Sequence, residues 1–127
     1  MDSKEEQTVL QFIVEQIDTV PHLEALLLIC QDSTTTWTGE LLSARIYVSP
    51  ATAGGVLEDL CRRGFIKTVD ANSRSYLYDA SWDTSQLMAQ LADLYRRQLV
   101  RVTKLIHSKG SSSVREFARA FQLKKEQ

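Results

Sequence analysis

The side chains capable of chemistry are few in this chain and poorly grouped for catalysis. His22 and His107 stand far apart, and neither belongs to a carboxylate or cysteine pattern that would hold a metal or activate a nucleophile. Cys30 and Cys61 form no CxxC pair. Cys61 has Arg62 and Arg63 beside it, which favour a thiolate, but the C-terminal end of a helix opposes one. Both cysteines therefore read as small core residues in a reducing compartment. With no nucleophile motif, phosphate loop or paired carboxylates, the sequence predicts no enzyme, no metal and no cofactor.

What remains is binding chemistry. Between residues 41 and 80 the basic residues Arg45, Arg62, Arg63, Lys67 and Arg74 stand among four acids, and Ser49, Ala51 and Thr52 add two hydroxyls and a methyl. The overall charge of -1 conceals a gradient: residues 1–40 hold one lysine and eight acids, and residues 81–127 hold nine basic and four acidic residues. Composition thus announces no strongly basic nucleic-acid binder but leaves room for a local basic surface. Arg96, Arg97, Arg101 and Lys104 read as a solvated face opposing the acidic N-terminal helix.

The stretch from Ser49 to Gly64 positions most of these groups. Ser49 is an N-cap and Pro50 stands where a missing N–H is harmless. Ala53, Val56, Leu57 and Leu60 make one apolar helical face, and Gly64 ends the helix. Before it, Ser3 and Glu6 form a capping-box pattern for a helix over 3–18, and Pro21 opens an apolar second helix containing Leu23, Leu26 and Leu27. Thr38 caps a third helix, and Trp37 reads as an edge-strand residue. After it, residues 65–69 and 75–78 read as a hairpin with turn chemistry at Asp70 to Arg74.

From residue 82 to 107 neither proline nor glycine intervenes, which predicts one helix of roughly 25 residues, near 38 Å long at 1.5 Å per residue. Its apolar stripe, Met88, Leu91, Tyr95, Val102 and Leu105, exceeds what a core of this size covers. With Phe12, and with Phe117 and Phe121 on a last helix starting at Ser113, it is expected to form a dimer interface. The reading is mainly α with a small β-hairpin (α+β), one folding unit over 1–127: an N-terminal helix (1–18), a core (19–80), and a dimerising segment (81–127). The longest apolar run, Ala25 to Cys30, is too short for a bilayer, so the expected location is the cytoplasm and no membrane partner is expected.

The lines P-H-L-E-A-L-L-L-I-C, T-G-E-L-L-S-A-R-I-Y-V-S-P-A-T and V-L-E-D-L-C-R-R-G-F-I-K, within residues 21–80, resemble the winged helix-turn-helix transcriptional regulators of the MarR and PadR type. The resemblance implies a homodimer on double-stranded DNA, with helix 50–63 in the major groove and the 65–79 wing at the minor groove. Carried over by position, Ser49, Ala51, Thr52, Gly54 and Gly55 would face bases, Arg45, Arg62, Arg63 and Lys67 phosphates, and Arg74 the minor groove. Where many such regulators carry arginine this chain has Gly55, and Glu58 and Asp59 would repel phosphate. The alternative is a winged-helix module that docks another protein on its small-residue face and reads no DNA sequence.

Overall fold

A computed structural model describes residues 2–82 and 86–109. The expected C-terminal helix, with Phe117 and Phe121, lies outside them. The described chain is mainly helical with one two-stranded antiparallel hairpin. In order these elements are α1 (Ser3–Gln16), α2 (Val20–Gln31), α3 (Gly39–Ile46), α4 (Pro50–Arg62), β1 (Ile66–Thr68), β2 (Tyr76–Tyr78), a 3-10 turn (Ala80–Trp82), α5 (Leu87–Arg97) and α6 (Leu99–Ser108).

Side-chain caps start the first four helices. Asp2 accepts from the Glu5 N–H at 2.8 Å, so the cap of α1 is Asp2 and not Ser3; Thr19, Thr38 and Ser49 cap α2, α3 and α4. The hairpin pairs Ile66 with Tyr78 and Thr68 with Tyr76. Trp37 adds a bridge on the other side of β2, its N–H donating to the Tyr76 carbonyl at 2.7 Å and its carbonyl accepting at 2.8 Å.

One core holds these elements together. Ala53, Val56, Leu57 and Leu60 of α4 meet Leu23, Leu26 and Ile29 of α2, with Val9 and Ile13 of α1 behind them. The stretch expected as a single long helix is two. Gln98, at φ -131° and ψ 50°, breaks it between α5 and α6. Both halves turn their apolar faces inward: Met88, Leu91, Leu94, Val102 and Ile106 are buried, with α5 against α1 and α2 and α6 against α1. Folding back at Gln98 brings within reach of the core a stripe that a straight helix would have carried past it. Phe12 likewise packs inside the chain, its ring 5.7 Å from that of Phe65 and 6.2 Å from that of Trp82. Among the described residues no helix is long and apolar enough to cross a membrane.

Candidate nucleic-acid or protein interface

The face opposite the α4 core side starts at its cap. The Ser49 hydroxyl accepts from the Thr52 N–H at 3.1 Å and donates to the Thr52 hydroxyl at 2.9 Å. Pro50, Ala51, Thr52 and Gly55 are exposed, and Gly54 is half-buried. A Cβ added at Gly54 or Gly55 would meet nothing within 4 Å, so packing inside the chain demands neither glycine. Gly39 is different: its Cβ would lie 3.3 Å from the Pro50 carbonyl oxygen, and it lets α3 close on α4.

The turn between α3 and α4 carries a feature that sequence reading missed. Tyr47 is the C-cap of α3 at φ 60° and ψ 44°, a left-handed conformation that favours glycine, and it is 92% exposed. The signal in the sequence was only the absence of Gly or Asn from a tight helix-turn-helix.

The basic residues divide into two groups. Arg45 lies over the Trp37 ring, 5.7 Å from its centroid, while Lys67 and Arg74 are exposed and in no ion pair among the described residues. Arg62 and Arg63 are engaged internally. Arg62 donates to Asp59 at 3.0 Å, and Arg63 grips both Asp18 carboxylate oxygens at 3.0 and 3.1 Å and the Glu15 carbonyl at 3.3 Å. Lys109 joins that site by donating to the Ile13 carbonyl at 3.2 Å and to the Ile17 carbonyl; burial pushes its pKa down. The end of α1, which has no basic residue of its own, thus takes its cations from α4 and from the residue after α6. Arg96 and Arg97 pair with Asp93, and Arg101 reaches Glu6 of α1.

His22, given no role by its sequence context, ties α2 to α4. It is 7% exposed; its Nε2–H donates to Asp59 at 2.8 Å, and the Thr19 hydroxyl is 2.5 Å from Nδ1. That hydrogen bond, more than Arg62, holds the Asp59 pKa below the usual carboxylate value. Asp18, His22 and Asp59 present ligand-type atoms within 4.8 Å of one another. Arg62 and Arg63 already neutralise the two carboxylates, so the group is an ion-pair junction whose charge balance leaves no excess for a cation.

Comparison of the chain with family models, curated proteins and solved structures finds no match.

Proposed function

We propose that this chain is a winged helix-turn-helix transcriptional regulator of the cytoplasm that binds double-stranded DNA as a homodimer, with α4 in the major groove and the hairpin as its wing. One observation carries the reading: the first two turns of α4 stand out from the body, with Pro50, Ala51, Thr52 and Gly55 exposed while Ala53, Val56 and Leu57 are buried. A helix so presented, with α3 crossing behind it and a hairpin following it, suits insertion into a groove. Arg45, Lys67 and Arg74 are the cations available for the backbone. Fluorescence anisotropy with duplex DNA tests it: affinity should fall steeply with salt, and Arg74→Ala should weaken it and flatten the salt dependence. Absence of salt-dependent binding at low ionic strength would end this reading.

A second reading is favoured by a specific observation. Arg62 and Arg63 are spent on Asp59 and Asp18, while Glu58 stands exposed on α4, so the face is close to neutral. A protein partner fits such a face as well as DNA does. Gly55→Arg separates the two. Its side chain has open space to enter; it should keep or strengthen DNA binding and should block a close-packed protein interface.

A further inference from the structure

Where the first turn of α3, the second turn of α4 and the start of β2 meet, the surface opens into a groove of about 250 Å³. Its walls include Glu40, Gly54, Glu58 and Arg74, with Leu57 and Tyr76 beneath. Three features define it. First, Glu40, Glu58 and Arg74 form no ion pair or side-chain hydrogen bond among the described residues, whereas Arg62, Arg63, Arg96, Arg97 and Arg101 all do. Second, Tyr76 is only 8% exposed, and its hydroxyl makes no hydrogen bond among the described residues but is not sealed from solvent. Burial first, then Cys61, then Glu58 raise the Tyr76 pKa while Arg74 lowers it, so Glu58 and Arg74 both lie within electrostatic reach of the hydroxyl. Third, Gly54 contributes no Cβ, and one placed there would meet nothing within 4 Å. The glycine leaves open the space that any other residue would narrow.

We propose that this groove binds a free basic α-amino acid of the lysine or arginine type. The ligand carries one carboxylate and two cationic ends, and the groove offers one guanidinium and two carboxylates. Arg74 takes the ligand carboxylate, Glu40 and Glu58 take the cations, and the aliphatic stem lies along the exposed edge of Tyr76. The net charge of the ligand is opposite to that of the three unpaired groups. A diamine lacks the carboxylate and leaves Arg74 facing a cation, and a neutral amino acid of equal length leaves one glutamate unmet. The proposal rests on the groove alone and is independent of whether α4 reads DNA.

Isothermal titration of the full chain with L-lysine and L-arginine, and with 1,5-diaminopentane and L-norleucine as controls, tests it. At least one basic amino acid should bind saturably, with both controls about tenfold weaker or more, as loss of one charge contact implies. Arg74→Gln and Glu58→Gln should each weaken binding by about the same factor at unchanged Tm. Gly54→Leu should abolish it without lowering Tm, because it fills the groove and replaces a poor helix former. No saturable heat with either basic amino acid, equal binding of lysine and the diamine, or undiminished binding by Gly54→Leu would each overturn the proposal.

Discussion

Tyr47 holds an aromatic side chain in the left-handed conformation and gives nearly all of its surface to solvent. For a residue with a Cβ that conformation costs about 1 kcal/mol or more, and no burial compensates it here. Gly55 on the neighbouring turn of α4 adds a helix penalty of roughly 0.8–1.0 kcal/mol relative to alanine, again without a packing reason. Tyr47→Gly should therefore raise the urea midpoint by about 1 kcal/mol of stability, and Gly55→Ala should do the same. If the α3–α4 turn belongs to the binding face, Tyr47→Gly should at the same time weaken partner binding. Opposite signs in melt and binding assay mark a contact residue; a gain in stability with unchanged binding would mark Tyr47 as a bystander. Single residues were unevenly legible in the sequence. The caps Thr38 and Ser49 and the core set of α4 follow from residue type and spacing. The engagement of Arg63 with Asp18 does not, because the two are distant in sequence and only the packing of α2 against α4 sets the turn before α2 beside the end of α4.

Among the elements, the break at Gln98 is the clearest departure from expectation. Nothing in Leu94 to Val102 resembles a helix stop, since it contains neither proline nor glycine. Helical spacing states which residues want burial, not whether a straight rod or a folded one buries them; burial of Val102 and Ile106 against α1 decides for the folded one. α5 is also fixed to α2 by a buried-side contact, the Tyr95 hydroxyl donating to Glu24 at 2.9 Å. Burial and that carboxylate push the Tyr95 pKa from 10.0 to about 12. A folded value above the unfolded one means that this contribution is fully present below pH 10 and is lost as pH rises toward 12. Thermal melts across that window should fall more steeply for the native chain than for Tyr95→Phe. Parallel slopes would show that the hydroxyl contributes nothing to alkaline stability.

For the molecule as a whole, six of the residues expected to build a dimer, Phe12, Met88, Leu91, Tyr95, Val102 and Leu105, take part in the core of a single copy or pack against it, while Phe117 and Phe121 lie outside the described residues. A homodimer through this side must use what is still exposed, and among the described residues that is Leu99 at 52% and Val100 at 65%, at the outer corner of the break. Sedimentation should show a dimer at micromolar concentration that Leu99→Glu dissociates without changing the melt. A native chain that sediments as a monomer would remove the homodimer from the functional reading. The mainly helical architecture with its hairpin was legible because helix caps and strand residues are local signals. The neutrality of the α4 face was not, because it depends on which arginines are consumed by acids from elsewhere in the chain.

The clamp on the end of α1 sets an order of events during synthesis. α1 leaves the ribosome before the other described elements, but the three side chains that fasten it, Arg63, Arg101 and Lys109, follow 47 to 96 positions later. At about 5–20 residues per second, α1 waits seconds for its fastenings. Until then its apolar side, Val9 and Ile13, has no α6 to rest on. The early chain thus carries an apolar helix face that is fully covered only once α6 has been made.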